Sequence, residues 1–253
     1  GKTNIINNII NEKFNPANRP KPIFRLSSSV DLANNNHIKF VGFEIPEPLP
    51  SELLNVVLKQ ELFKKGKIGG KLVVDNSGEY PTIKGSMDMD RVIIPSQRTF
   101  IKEAVLQAED RTIKLTSSGG YKRARFKFEG DILNELKFPI IVKDANLSVQ
   151  HVDLLQLLEN TTSEDKTQDN VIATDNGVVK LENSENNFDI SNIIIEKGKF
   201  HLDSGTYKDI EFANLDADLS LNKDSILDIK SNRFEIAEGH SSVKVNCDLK
   251  NQK

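Results

Sequence analysis

Alternation of apolar and polar residues with a period of two constrains the fold of this chain more than any other feature. In residues 112–128, Ile113 and Leu115 alternate with threonine and lysine, and Phe126 and Phe128 alternate with arginine and lysine. Successive side chains of a β-strand point to opposite faces, so the pattern predicts strands with one apolar and one polar face. Antiparallel sheets tolerate water on one face, whereas covered parallel sheets need continuous apolar runs. The sequence therefore predicts an all-β protein built from short antiparallel strands.

Polar turn signals separate the alternating runs. Residues 75–78 (Asp-Asn-Ser-Gly) follow the run that contains Leu72 and Val74, and another run begins near Ile83. Two such runs joined by a tight polar segment predict a hairpin. Residues 117–120 (Ser-Ser-Gly-Gly) are predicted to turn the chain in the same way.

Two segments break the alternation and predict short helices. Residues 51–65 carry leucine and valine at helical spacing before Gly66, and residues 152–159 are rich in leucine. The remaining composition divides the chain into a weakly structured lead-in, two β-segments of one continuing sheet, and a flexible polar insert between them. The lead-in covers residues 1–22, the β-segments cover residues 23–159 and 177–253, and the insert covers residues 160–176.

Composition excludes several classes of protein. The net charge of −3 argues against a nucleic-acid partner, which would require a basic surface. Hydrophobic residues make up 37% and aromatic residues 6% of the 253 residues, which favours an elongated sheet over a compact globule. The single cysteine, Cys247, falls on the apolar side of the last run and predicts a packed, unreactive thiol. The chain begins without methionine, so we expect it to be part of a longer protein.

Residues with catalytic chemistry do not form a recognisable site in the sequence. The histidines are scattered, and a metal site needs ligands that converge: His37, His151, His201 and His240. Asp88 and Asp90, like Asp216 and Asp218, are two residues apart and so lie on the polar face of a strand. A solvated face explains these carboxylates better than an acid–base pair does. We expect a protein that is not an enzyme and has no cofactor.

A small basic stripe contains Lys122, Arg123, Arg125 and Lys127. Such a stripe can contact anionic lipid headgroups. More often it is only the solvated face of a strand, and we take that as the default interpretation.

Several segments resemble one protein family. Residues 145–158 (ANLSVQHVDLLQLL) resemble the strand and VDL..LL helix that recur in AsmA-like proteins, where a variable polar insert also follows. Residues 198–239 contain Gly-Lys-Phe, Tyr-Lys-Asp-Ile, Asn-Leu-Asp-Ala-Asp-Leu and Ile-Ala-Glu-Gly, which are similar to the C-terminal strand repeat of that family. Residues 66–85 are similar to the glycine and proline rhythm of AsmA-like and TamB-like chains.

The resemblance implies a fold, a location and a function. It implies an elongated, U-shaped antiparallel sheet with an apolar inner face, located in the periplasm and anchored to the inner membrane by a segment absent from this chain. Family members are linked to phospholipid transport and outer-membrane biogenesis. We therefore expect a groove that shields phospholipid acyl chains between the two membranes. The expected partners are phospholipid or another acyl lipid, and further repeats of the same parent chain at the sheet edges.

The predicted lining of the groove consists of apolar residues that alternate along the strands: Leu72, Val74, Ile83, Met87, Ile113, Leu115, Ala124, Phe126, Phe128, Leu147, Val149, Leu215, Leu219, Phe234, Val243 and Val245.

Alternation alone leaves two other architectures open. A sealed β-sandwich or barrel would act as an interaction or scaffold module, although the shortage of large aromatic residues argues against its core. A parallel β-helix with a carbohydrate-binding or adhesive role would fit residues 27–40, but the rest of the chain has no regular coil period.

Overall fold

The computed structural model describes residues 22–31, 37–155, 171–174, 177–180, 192–237 and 239–250. These residues form strands almost throughout; the named helical elements are a short helix, α1 (Glu52–Leu58), and a 3-10 turn at Pro95–Gln97. The strands, in chain order, are β1 (Arg25–Asp31), β2 (His37–Pro50), β3 (Lys67–Asp75), β4 (Thr82–Ile94), β5 (Thr99–Glu109), β6 (Thr112–Tyr121), β7 (Ala124–Leu133), β8 (Ile140–Asp153), β9 (Val171–Thr174), β10 (Gly177–Lys180), β11 (Ile193–Tyr207), β12 (Ile210–Leu221), β13 (Ile226–Ser231), β14 (Phe234–Ile236), β15 (Gly239–Ser241) and β16 (Lys244–Asp248).

One open, curved sheet contains 14 of the described strands. Its main path runs β1-β2-β3-β4-β5-β6-β7-β8-β11-β12-β13-β16, while β14 pairs with β12 and β15. Strands β9 and β10 form a separate hairpin. Along the main path the pairs are antiparallel except for β8 and β11, which are parallel. The prediction of an all-β protein with a curved antiparallel sheet is confirmed. The parallel pairing of β8 with β11 was not predicted.

Irregular pairing gives the sheet its curvature. Register shifts interrupt the ladders of β1, β2, β5, β7 and β11. Such bulges bend a strand and increase its local twist. Strands β3 and β4 also approach closely where Gly70 and Gly85 have φ angles of +118° and +116°. A Cβ on Gly85 would lie 2.1 Å from the carbonyl oxygen of Lys71, so only glycine fits there.

Helix α1 is shorter than the sequence predicted. The predicted helix covers residues 51–65, whereas the helix ends at Leu58 because Lys59 has a left-handed conformation with φ of 54°. Beyond it, the side-chain oxygen of Asn55 accepts hydrogen bonds from the backbone N–H groups of Leu62 and Phe63, at 3.0 and 2.9 Å. These bonds hold the following segment in a non-helical path back to β3.

The second predicted helix also begins later than expected. Residues 152 and 153 belong to β8, and within the predicted range 152–159 the structure describes only Leu154 and Leu155 as helical. The backbone N–H of Leu155 donates to the Asp153 carboxylate at 3.1 Å, which favours the start of a helix at that point. Residues 156–159 lie outside the described residues.

The turn predicted at residues 117–120 is wrong. Strand β6 continues through these residues to Tyr121, and the chain turns at Lys122 and Arg123, where Lys122 has a φ of 52°. Gly119 instead lies where β5 and β6 come close, since a Cβ there would be 1.9 Å from the carbonyl oxygen of Phe100. Glycine is therefore required at this position because the backbones of β5 and β6 approach closely there.

Parts of the predicted lead-in and insert lie outside the described residues, namely 1–21, 160–170 and 175–176. Within the predicted insert, residues 171–174 form strand β9, which lies against β5 and β6. Strands β11, β12, β13 and β16 belong to the same sheet as β1 to β8.

A buried cluster lies where β8, β11, β12 and β14 meet. Its members are Val149, Val152, Leu202, Phe212 and Phe234. Leu154 packs against this cluster, so the chain that leaves β8 covers part of the sheet on that side.

Candidate functional site

The apolar side chains of the sheet line up across strands rather than forming isolated patches. Residues directly opposite each other in neighbouring strands point to the same face, so the strand register defines rows that run across the sheet. One row crosses all twelve strands of the main path and contains only apolar residues and one glycine. We call it the long row: Leu26, Phe43, Leu72, Gly85, Ala108, Ile113, Ile132, Val142, Ile195, Leu221, Leu227 and Cys247.

A second row lies beside the long row on the same face and is rich in glycine. This glycine row contains Ile45, Gly70, Met87, Leu106, Leu115, Gly130, Ala145, Gly198, Leu219, Ile229 and Val245. Its glycines leave depressions between larger side chains, and neighbouring side chains enter some of them. The Phe128 ring lies over Gly130, and Leu219 lies over Gly198. The two rows form a continuous apolar strip perpendicular to the strands.

Exposure along this strip varies with position. In the long row Ala108 and Leu221 are each 1% exposed, whereas Leu26 at the β1 edge is 60% exposed. In the glycine row Met87, Leu106 and Leu115 are partly exposed. The long row is therefore sealed at Ala108, Ile113 and Leu221. In β4, β5 and β6 the accessible part of the apolar strip is the glycine row, at Met87, Leu106 and Leu115.

Most of the predicted lining residues share this apolar face. Leu72, Val74, Ile83, Met87, Ile113, Leu115, Ala124, Phe126, Phe128, Leu147, Val149, Leu215, Leu219 and Val245 are joined by register on it. Phe234 lies in β14, off the main path, within the buried cluster. Val243 precedes β16, and its backbone bonds to Ser231. Of the predicted set, Ile113, Val149 and Phe234 are buried. The sequence analysis missed Leu106, whose alternation in β5 resembles that of β6.

The opposite face is polar and carries its own cross-strand row. It runs through Glu103, Ser118, Lys127, Ser148, His201 and Asp216. A shallow cavity of about 550 Å³ lies over this row, and its lining also includes Lys102, Arg125 and Asp203. Cations and anions are interleaved along it, so the cavity has no single charge that would select one ligand. For this reason the continuous apolar strip, rather than the cavity, is the candidate site.

His201 is the one histidine with carboxylates on both ring nitrogens among the described residues. Its Nδ1 lies 2.6 Å from Asp216 and its Nε2 lies 2.9 Å from Asp203. The hydrogen bond with Asp216 raises the pKa of His201 above its ordinary value, and the bond with Asp203 adds to the effect. Spacing in the sequence could have suggested Asp203, two residues along the same strand, but not Asp216.

The described residues contain no group of three or more His, Cys, Asp or Glu side chains placed to hold a metal ion. Likewise, no helix within the described ranges is both long and apolar enough to cross a bilayer.

Cys247 is partly exposed at the end of the long row, opposite Leu227. The candidate site is thus an extended apolar surface without titratable groups at its centre.

Comparison with known proteins does not assign the chain to a family. No protein-family model matches the chain, and a search of curated proteins finds no significant relative.

Proposed function

We propose that the apolar strip binds the acyl chains of lipids and that the protein is a non-enzymatic lipid-binding and lipid-transfer segment. In this proposal it acts as AsmA-like proteins do, shielding phospholipid between the inner and outer membranes from a position in the periplasm. The sequence resemblance and the geometry of the strip support the proposal independently of each other.

The observation that carries the proposal is the unbroken long row. Twelve described strands in series contribute an apolar residue or glycine to it, from Leu26 to Cys247. A compact core needs apolar residues at its centre and has no reason to extend them to both edges of a sheet. Exposed contiguous apolar surface is costly in water and marks binding surfaces.

The dimensions of the strip also suit a lipid. Twelve strands spaced ~4.8 Å apart give a strip of roughly 53 Å. That length exceeds the ~30 Å hydrocarbon core of a bilayer, so the strip is long enough for an acyl chain, which would contact the parts of it that are not sealed. The partly exposed side chains of Met87, Leu106 and Leu115 occupy its accessible part.

A sealed interaction or scaffold module is the second candidate, and the buried cluster favours it. Val149, Leu202 and Phe212 are packed together and leave no space for a ligand at that point. A sealed core would account for this half of the sheet. It would not account for the exposed apolar residues of β1 and β2.

Substitution of Leu115, in the accessible part of the strip, tests the proposal. In an open groove a carboxylate at this position reaches water when no lipid is bound, so Leu115→Asp should stay folded and lose co-purified lipid. In a sealed core the same carboxylate would be buried without a partner and the protein would unfold. The matched control is Thr116→Asp, on the polar face of the same strand.

Native mass spectrometry of the purified proteins measures the lipid, and thermal melting measures the fold. We expect phospholipid on the wild-type protein and on Thr116→Asp. A folded wild-type protein that carries no lipid and takes up none from a fluorescent fatty-acid solution would refute the groove. Unfolding of Leu115→Asp alone would favour the scaffold module.

A further inference from the structure

The two ends of the strands differ in charge. The connections at residues 51–66, 95–98, 122–123 and 208–209 lie at one end, which we call the α1 end. The connections at residues 76–81, 110–111, 134–139 and 222–225 lie at the other, which we call the Phe138 end. These four connections at the α1 end contain seven Lys or Arg and three Asp or Glu, and residues 232–243, between β13 and β16 at the same end, add one Arg and two Glu. The four connections of the Phe138 end contain three Lys or Arg and four Asp or Glu. The first end is therefore basic and the second is not.

Helix α1 adds exposed apolar side chains to the basic end. Val56 is 77% exposed, and Leu53 and Leu58 are also exposed. Leu53 and Val56 are three residues apart and so lie on the same side of the helix. Buried Ser51 fixes the base of α1, since its backbone N–H donates to the Gly66 carbonyl at 3.0 Å and its hydroxyl donates to the Lys65 carbonyl. The helix is thus held in place with Leu53, Val56 and Leu58 in solvent.

Two hairpins at the same end repeat one arrangement. In the β6–β7 turn Lys122 lies over the ring of Tyr121, and in the β11–β12 turn Lys208 lies over the ring of Tyr207. Both tyrosines are exposed, and both lysines have left-handed backbone conformations, with φ of 52° and 55°. Tyrosine with an adjacent lysine is the composition found at membrane–water interfaces, where the ring lies at headgroup level and the cation reaches phosphate.

We propose that the α1 end docks on a membrane surface that contains anionic phospholipid. The apolar side chains of α1 enter the boundary between headgroups and acyl chains, as in other interfacial helices. The lysines and arginines of the surrounding turns attract the negative headgroups. This inference concerns a different surface from the apolar strip and does not require lipid in the strip.

Co-flotation with vesicles tests the proposal. We expect the protein to float with vesicles of phosphatidylcholine mixed with phosphatidylglycerol, to float far less with phosphatidylcholine alone, and to be released by added salt. The charge variant Lys122→Glu with Lys208→Glu should weaken binding about tenfold or more, because each cation near an anionic surface contributes substantially. Its control is Lys223→Glu at the Phe138 end, which should bind as the wild type does.

Two matched substitutions test how much the exposed apolar side chains of α1 contribute to vesicle binding. Val56→Glu changes a residue that is 77% exposed at the α1 end, and Phe138→Glu changes one that is 73% exposed at the other end. Only Val56→Glu should lose vesicle binding, and both proteins should melt like the wild type because neither side chain is buried. Failure of the wild type to float with anionic vesicles, or equal losses for both variants, would overturn the inference. Lipid content by native mass spectrometry stays a separate measurement, so the groove proposal would survive that result.

Discussion

Gly205 of β11 lies directly opposite Phe212 of β12, and the Phe212 ring occupies the space where a side chain of residue 205 would be. A Cβ on Gly205 would lie 2.3 Å from the tip of that ring. Phe212 is itself packed against Val149, Leu202 and Phe234, so it cannot move without disturbing the cluster. This contact joins β11, which pairs with β8 in parallel, to β12 on its other side.

Gly205→Ala should therefore destabilise the protein by about 1–3 kcal/mol, the usual cost of overpacking a filled core. Chemical denaturation of both proteins measures the difference. Gly78→Ala is the control, because the nearest atom to a Cβ at Gly78 is 3.6 Å away. Equal stabilities for Gly205→Ala and the wild type would mean that the Phe212 ring is not fixed in this position.

Asn134 should be the most sensitive polar residue at the Phe138 end. It is almost fully buried; its side-chain oxygen accepts from the Ile83 backbone N–H at 2.7 Å, and its amide donates to the carbonyls of Ile83 and Asp110. Asn134→Ala leaves buried backbone groups without partners and should cost about 2–4 kcal/mol.

The same denaturation assay with Asn246→Ala provides the control, since Asn246 is exposed and its side-chain amide donates to the exposed Asp228 carboxylate at 2.7 Å. That change should stay within about 0.5 kcal/mol of the wild type. A comparable loss for both variants would contradict a special role for Asn134.

Stability should depend on pH through His201. Its pKa is raised in the folded protein, so its contribution to stability is complete below the ordinary value of 6.5 and is lost as pH rises through the folded pKa. The difference in melting temperature between the wild type and His201→Gln should therefore shrink as pH rises through that range. His151→Gln is the control, because His151 bonds to the Ser204 hydroxyl at 3.0 Å rather than to a carboxylate. A difference that grows with pH would contradict this assignment.

Cysteine labelling can distinguish the two faces of β5 under the lipid-binding proposal. In a Cys247→Ser background, Val105→Cys should react quickly with a water-soluble maleimide, because Val105 is on the polar face and exposed. Leu106→Cys, in the glycine row, should react slowly while lipid is bound and faster after lipid extraction. Rates for Leu106→Cys that do not respond to extraction would argue against acyl chains on this part of the strip.

The position of the turn after β6 could not be predicted from the composition of that segment alone. Residues 117–120 have the composition of a turn, yet the turn falls at Lys122 and Arg123. Gly119 was misassigned because the need for it arises from the Phe100 carbonyl of the neighbouring strand. A requirement that comes from another strand cannot be read from the segment itself. In the same way, the partner of His201 across the sheet, Asp216, depends on the register of β11 and β12.

Which side chains share a face can be predicted from the amino-acid sequence, because alternation with a period of two is a property of each strand alone. The sequence therefore predicted an all-β chain with one apolar and one polar face. The alignment of the strands becomes visible only in the folded chain, since register depends on contacts between residues far apart in the sequence. That alignment joins Leu26 to Cys247 in one row, places β11 parallel to β8, and gathers α1 with the Tyr121 and Tyr207 turns at one end.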